Sequence, residues 1–344
     1  MIVSIVCPCR NEIRNINAFL REIAHQQATE FRLEIIVADG QSNDGTAEVL
    51  AAWRAREPRG VVIPNPGRIV STGLNAAIRI AQGEIIVRMD VHTKYAHDYV
   101  SQCVKVLKQS GAMCVGGPWL AKGNSSRQRA IAVAFGSTFG SGGAKSRRTG
   151  YTGVVDTVYL GTWRRADLIS HGGFDEQLVR NQDDELCLRI TRSGGAIWQC
   201  ESIRSHYLPR DTLRGLWQQF YQYGYWRAAV IKKHVLPASA RQLAPTLFVG
   251  LLLILAVSGV FVPMAWLLAL GVLTVYIVTA IVAALNARGP YRRASVVVVV
   301  LSFACMHFGY GLGLSHGVLD FFILDRTRNK NRQTKNGSRS GKQS

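Results

Sequence analysis

Apolar and polar positions alternate in blocks along the first 120 residues. Residues 2–7 form an apolar run of the kind a strand buried on both faces requires. Residues 15–26 carry Ile16, Phe19, Leu20 and Ile23 at helical spacing, and residues 33–38 read as a second buried strand. A helix over 46–56 follows, with Asn43 or Asp44 available as its cap. The alternation continues with a strand at 61–63, a helix at 71–81, a strand at 84–89, a helix at 99–110 and a strand at 113–115. Strand and helix in turn, with short connections, predict an α/β fold: a mostly parallel sheet with flanking helices. Strand character returns at 156–165, and an amphipathic helix is expected over 186–191.

Farther on the pattern changes. Residues 243–262, 264–285 and 295–319 are three nearly uncharged apolar runs, each about 20 residues or more, the length of a transmembrane helix. Between them and the α/β part, residues 213–235 are basic and aromatic, with Trp217, Phe220, Tyr221, Tyr225 and Trp226 beside Arg227, Lys232 and Lys233. That composition suits an interfacial helix at a membrane surface or an ordinary packed helix. The organisation expected is a catalytic domain over 1–235, a membrane domain over 243–319 and a disordered tail over 326–344. Residues 122–152, rich in Gly, Ser, Arg and Lys, read either as a plain surface loop or as a mobile basic segment over the site that meets an anionic acceptor.

Composition narrows the class. The net charge is +19, and the tail carries seven of the Lys/Arg residues and no acid. Nucleic-acid binding is one reading of that excess. The apolar third favours a membrane protein that faces anionic lipid and diphosphate substrates, with no nucleic acid as partner. The seven cysteines are scattered without zinc-type spacing, so they read as reduced. Cys7 and Cys9 alternate on one strand and are expected to pack on one face. Residues 1–6 are too short for a signal h-region and run into Pro8, so the globular part is expected to stay cytoplasmic.

In a parallel sheet ligands bind at the carboxyl ends of the strands. Polar residues collect there: Pro8-Cys9-Arg10-Asn11-Glu12 after the first strand, Asp39 to Thr46 after the second, and Asp90-Val91-His92 after the fourth. No G-x-G-x-x-G follows the first strand, which argues against a dehydrogenase, and no Walker A sequence is present. A carboxylate and an imidazole one residue apart, Asp90 and His92, are able to share one divalent cation. The acidic cluster Asn181-Gln182-Asp183-Asp184-Glu185 offers a general base. Sugar transfer from a nucleoside diphosphate needs those parts: charge neutralisation for the leaving diphosphate and a carboxylate to take the acceptor's proton. With one base and no covalent nucleophile, single displacement with inversion is the simplest route. Asp44 and Asp175 are also able to serve only as turn caps.

Six elements in this order resemble a family 2 glycosyltransferase of the GT-A fold: Cys7-Pro8-x-x-Asn11-Glu12, Val37-Ala38-Asp39-Gly40-x-Ser42-x-Asp44-Gly45-Thr46, Gly73-Leu74-Asn75-Ala76-Ala77, Asp90-x-His92, Gly172-Gly173-Phe174-Asp175-Glu176 and Asp183-Asp184-Glu185-Leu186-x-Leu188-Arg189. With the apolar C-terminal part, the chain is most similar to the succinoglycan-type exopolysaccharide glucosyltransferases. The resemblance implies a nucleotide-diphospho-sugar transferase fold with C-terminal transmembrane helices, at the cell inner membrane. It implies a UDP-sugar donor, a polyprenyl-diphosphate-linked saccharide acceptor, and Mn²⁺ or Mg²⁺ as cofactor. Pro8, Asn11, Glu12, Asp39, Arg68, Asn75 and Asp90 would bind the nucleotide-sugar. Asp90 and His92 would hold the metal, with His206 either a further ligand or a plain surface histidine. Asp183 stands at the family's base position. Because Gln182 replaces the usual Glu before it, Asp184 competes for that role. Asp-x-His in place of Asp-x-Asp shifts the metal preference toward Mn²⁺, since imidazole suits it better.

Two other readings stand beside this one. A processive polysaccharide synthase would carry Q-x-x-R-W, where this chain has Gln222-Tyr223-Gly224-Tyr225-Trp226. A non-enzymatic basic membrane adaptor would not need carboxylates at three strand ends.

Overall fold

In the computed structural model residues 1–325 are described, and they fall into two compact units. The tail expected to be disordered, 326–344, lies outside the described residues. The first unit comprises Met1–Arg210 with Asn286–Val299, and the second Asp211–Leu285 with the remainder.

The first unit is built on an eight-stranded sheet and a two-stranded one. The strands are β1 (Ile2–Cys9), β2 (Arg32–Asp39), β3 (Gly60–Pro64), β4 (Ile85–Arg88), β5 (Thr93–Tyr95), β6 (Cys114–Gly117), β7 (Gly153–Val154), β8 (Tyr159–Arg164), β9 (Ile197–Gln199) and β10 (Ser205–Tyr207). The large sheet runs β3-β2-β1-β4-β8-β6-β9-β7. Its first four strands are parallel, and β8 inserts antiparallel between β4 and β6. The two-residue β7 adds a third antiparallel pairing at the edge, against β9. The sheet is therefore mostly parallel, as the sequence pattern predicts, with β8 and β7 as its two antiparallel strands. The inserted strand comes from the 156–165 segment.

The helices are α1 (Ile16–Ala24), α2 (Thr46–Arg54), α3 (Val70–Ile80), α4 (Tyr99–Ser110), α5 (Ser126–Gly136), α6 (Thr138–Ser141), α7 (Arg165–Ser170) and α8 (Gln182–Arg192). Successive β1 side chains face opposite layers. Val3, Ile5, Cys7 and Cys9 pack with Phe19, Leu20 and Ile23 of α1 and with Tyr99 and Cys103 of α4. Val6 packs on the other side with Leu74 of α3 and Leu186 and Ile190 of α8. Cys7 and Cys9 thus share one face, as their alternation predicts, and both are free thiols that burial pushes upward in pKa.

The 122–152 segment differs from the expected loop. Ser125 and Gln128 form a reciprocal capping box, which starts α5 in a stretch whose composition hides it. While Lys145 and Arg148 are exposed, the basic residue Arg147 is half-buried against aromatic rings. Its guanidinium lies 4.2 Å from the Trp119 ring centroid and 5.0 Å from that of Phe135.

The second unit holds α9 (Leu213–His234), α10 (Ala244–Ser258) and most of α11 (Met264–Ala287) and α12 (Val296–Val318), whose residues 286–287 and 296–299 group with the first unit. The boundary falls at Asp211, so the basic aromatic segment groups with the apolar helices and not with residues 1–210. The physical cause is close helix packing. Gly309, Gly313 and Gly317 recur every four residues on α12, and a Cβ at any of them would crowd the α9 backbone. Tyr225 Oη donates to Asp320 Oδ2 at 2.8 Å, and Lys232 Nζ to Asp325 Oδ1 at 2.6 Å. Among the described residues two helices are long and apolar enough to cross a membrane, Met264–Ala287 and Val296–Ile323, with 11% and 39% of their apolar windows buried. The first of the three expected runs is shorter than predicted. The α10 helix has 15 residues, about 22 Å at ~1.5 Å per residue, against a hydrocarbon core of ~30 Å.

Candidate active site

The polar loops at the carboxyl ends of β1, β2 and β3 are stitched together. Asn11 donates its backbone N–H to Ser42 Oγ (2.9 Å), and its side-chain Oδ1 accepts from the Asn43 N–H (3.0 Å). The Glu12 N–H reaches Thr46 Oγ1 at 2.9 Å, and the Ile13 N–H reaches Asp44 Oδ2 at 3.2 Å. Asp44 also accepts from the Thr46 N–H and hydroxyl, which holds its carboxyl below the ordinary pKa; it caps the turn from one residue before the N-cap, Gly45. Asp39 accepts from the Ser42 hydroxyl at 2.6 Å. Arg68 donates through Nε to Gln41 Oε1 at 2.5 Å, and its own carbonyl accepts from Arg10. Pro8, half-buried at the end of β1, pairs in register with Ala38. Asn11, Gln41 and Arg68 all have positive φ (54°, 58° and 59°), a conformation that costs energy outside glycine and that clusters at working sites. Asp39, Asn11, Glu12 and Arg68 therefore come together from three loops.

Beyond β4, Asp90 is nearly buried and takes a two-pronged bond from Arg88, with Nε to Oδ1 and Nη2 to Oδ2 both at 2.9 Å. Burial alone would raise the Asp90 pKa; Arg88, with help from His92 and Arg180, outweighs it and holds the carboxyl below its ordinary value. Tyr95 Oη accepts from the Asp90 N–H at 2.6 Å and donates to the Asp90 carbonyl at 3.0 Å, which sets the turn. His92 Nδ1 is 3.6 Å from Glu12 Oε1, and its ring meets Tyr207 edge-on at 5.8 Å. Glu12 is itself steadied by Asn15 Nδ2 at 3.0 Å.

The same arginine reaches the acidic cluster. Arg88 Nη1 donates to Asp183 Oδ1 in a short bond, across 95 positions of sequence. Asp183 lies in the first turn of α8 behind Asn181, whose φ of 62° turns the chain into the helix. The Asp183 side chain keeps 40% of its surface exposed, yet the protein around the carboxyl desolvates it and raises its pKa; Asp90 and Asp184 add to the rise and Arg88 opposes it. Asp184 accepts from Thr157 Oγ1 at 2.9 Å. Glu185 is fully buried and locked to Arg189, which also donates to the carbonyls of His171 and Gly173.

Two expected site residues have other surroundings. Asn75 spends its amide on the Gly172–Glu176 turn, with Nδ2 to the Phe174 carbonyl (2.8 Å) and to Glu176 (2.9 Å), and Oδ1 accepting from the Phe174 N–H (2.9 Å). His206 pairs in register with Lys94, two residues past His92, and burial and Lys122 lower its pKa. Among the described residues no group of three or more His, Cys, Asp or Glu is gathered to hold an ion. Asp175 accepts from the Gln177 N–H at 2.8 Å, the turn-capping role open to it. Motif spacing does not point to Arg88, Tyr95 or Thr157. The signal for Arg88 is its charge in a strand that is otherwise apolar.

The model of the family "Glycosyl transferase family 2" matches residues 4–170. The succinoglycan biosynthesis protein ExoA of Rhizobium meliloti (strain 1021) is 32% identical over 328 residues, covering 92% of this chain and 95% of its own. A dolichyl N-acetyl-alpha-D-glucosaminyl phosphate 3-beta-D-2,3-diacetamido-2,3-dideoxy-beta-D-glucuronosyltransferase of Methanococcus voltae is 21% identical over 92% of this chain and 98% of its own. Among solved structures, the mannosyltransferase PcManGT of Pyrobaculum calidifontis, in complex with GDP-Man and Mn²⁺, aligns with a TM-score of 0.59 at 19% identity, covering 92% of this chain and 87% of its own. S. aureus TarS 1–349 with UDP-GlcNAc aligns at 0.52 and 16% identity, covering 92% of this chain and 91% of its own. The structural matches show a shared GT-A-like fold, and the ExoA match spans nearly the whole of both chains. The chain with its Asp90–Arg88–Asp183 link belongs to glycosyl transferase family 2 and is a glycosyltransferase.

Proposed function

We propose that this enzyme moves one hexosyl residue, glucose, from a UDP-sugar to a saccharide on a polyprenyl diphosphate, with inversion, during exopolysaccharide assembly at the inner membrane. The observation that carries the reading is the buried Arg88 guanidinium that bonds both Asp90 and Asp183. It sets the carboxylate suited to the diphosphate side and the carboxylate suited to the acceptor side one guanidinium apart. Similarity to a protein named for succinoglycan biosynthesis supports the pathway class, and two apolar helices support membrane attachment, with the catalytic unit cytoplasmic and the chain multi-pass.

In this mechanism Asp39 accepts from the donor's base, while Asn11, Glu12 and Arg68 line the nucleotide. Asp183 Oδ1 is held by Arg88, and Oδ2 takes the proton of the acceptor hydroxyl as its oxygen bonds to the anomeric carbon. The bond from that carbon to the diphosphate breaks on the opposite side, and UDP leaves with the electron pair. The residues at Asp90 fit a divalent cation in kind: the Arg88 fork uses two of a carboxylate's about four lone-pair sites, and the His92 imidazole stands next to the turn. Asp90 and His92 would hold Mn²⁺ or Mg²⁺, which supplies Lewis-acid stabilisation of the leaving diphosphate.

A donor screen with radiolabelled nucleotide-sugars, on membranes containing sugar-primed polyprenyl diphosphate, tests the reading. A single β-linked glucose added from UDP-α-glucose is the expected product. A retained α-linkage removes the single-displacement mechanism, and a growing polymer replaces it with a processive synthase.

The pH profile is a second test. The base must be ionised, so kcat/KM falls as pH drops through the Asp183 pKa. That pKa is raised, so the acid limb is expected above the ordinary carboxylate value of about 3.9. A rate that stays level down to that value counts against Asp183.

A further inference from the structure

Arg88 is a charged side chain where the fold asks for an apolar one. Its strand, β4, lies between β1 and β8, with Arg88 opposite Val6 of β1 and its neighbour Val87 opposite Thr162 of β8. The residue is only 4% exposed. Burying a guanidinium there is costly, and such ionic clusters are often replaceable by apolar side chains without loss of stability. Stability therefore gives little reason for an arginine at this position. The partners it reaches give a better one: its fork holds both oxygens of Asp90, and its remaining Nη1 holds one oxygen of Asp183. The first partner follows the strand that carries Arg88; the second arrives on α8, 95 positions later. A rigid planar fork with several donors fixes the relative placement of two carboxylates in a way that the point charge of lysine does not.

We propose that Arg88 is a positioning residue for sugar transfer, acting through Asp183 by fixing which carboxylate oxygen is free to take the acceptor's proton and by setting that oxygen in register with Asp90. With Oδ1 committed to Nη1, rotation of the Asp183 carboxyl about its own bond is stopped, and Oδ2 is the oxygen presented. The inference rests on the assignment of Asp183 as the base. It adds that α8 is not correctly placed by its helix packing alone: its first turn is registered against β4 through this guanidinium.

A double-mutant cycle on the full-length enzyme separates positioning from plain structural support. Arg88→Lys keeps the charge and loses the fork. It is expected to lower kcat by about 10- to 100-fold, the usual cost of removing a supporting hydrogen-bond partner. In an Asp183→Asn background the same change is expected to cost clearly less, because the group it positions no longer acts and only the fork on Asp90 is lost. Exogenous guanidinium in Arg88→Ala gives an independent arm that does not need Arg88→Lys to fold well. Guanidinium is expected to restore turnover in Arg88→Ala by a larger factor than in Arg88→Ala/Asp183→Asn, where only the bond to Asp90 is left to rebuild. No loss in Arg88→Lys, equal losses in both backgrounds, or equal rescue in both backgrounds would overturn the proposal while leaving the base assignment intact. Full turnover in Asp183→Asn alone removes the base assignment itself.

Discussion

Asp183→Asn is expected to lower turnover by on the order of 10² or more, the usual worth of a positioned base, with UDP affinity nearly unchanged. The substitution isolates proton transfer from geometry. Asparagine matches aspartate in size, and its Oδ1 is still able to accept the Arg88 Nη1 bond that places the side chain. What it loses is the second oxygen's capacity to take a proton. Asn11, Glu12, Asp39 and Arg68, which line the nucleotide in this reading, sit on the loops after β1, β2 and β3 and bond within those loops. Asp184→Asn is the control. Asp184 faces Thr157, whose hydroxyl is able to donate to an amide oxygen as it does to the carboxylate. That variant is expected to be the milder lesion in a steady-state assay. An inactive Asp184→Asn beside an active Asp183→Asn would exchange the two roles, and normal turnover in both would remove the acidic cluster from the chemistry.

How much of this site is legible in the amino-acid sequence depends on how locally each part is encoded. The strands β1, β2 and β4 are legible because each is buried on both faces and reads as a run of apolar residues. The loop residues Asn11, Glu12 and Asp39 are legible because a parallel sheet presents its ligand at those strand ends. The short pair β5 and β10, three residues each, leaves too little periodicity to read. Helix α5 is masked by the Gly, Ser, Arg and Lys residues around it, although Ala130 to Phe135 is an apolar run and Ser125 followed three residues later by Gln128 is a capping signature. Arg88 is visible as a charge in an apolar run, but its meaning is not. The bond to Asp183 joins residues 95 positions apart, and no local pattern encodes such a pairing. Asn75 fits a motif, yet only the fold turns its amide to the Phe174 backbone. The boundary at Asp211 is equally non-local, because α9 takes its place from glycines on α12 about 90 positions away.

Chelation with EDTA is expected to abolish transfer, and added Mn²⁺ or Mg²⁺ to restore it. A leaving diphosphate develops charge that must be met in the transition state, and the positive group fixed near Asp90 is already committed. Arg88 spends its fork on Asp90 and its third donor on Asp183, and its burial holds it back from a ligand. Asp90 stays ionised at neutral pH, because Arg88 lowers its pKa against the cost of burial. The carboxylate is therefore charged in the form a cation requires. His92→Ala is expected to raise the metal concentration needed for half-maximal rate while leaving Asp90 in place, since the Asp90 turn is held by Tyr95 and Arg88 and not by the imidazole. Loss of the imidazole should also narrow the advantage of Mn²⁺ over Mg²⁺, because nitrogen ligation favours the former. A metal titration of wild type and His92→Ala, in both ions, reads all of this at once. Full activity in chelator would end the assignment of Asp90 and His92, and would leave the diphosphate charge to cationic side chains such as Arg68 and Arg180.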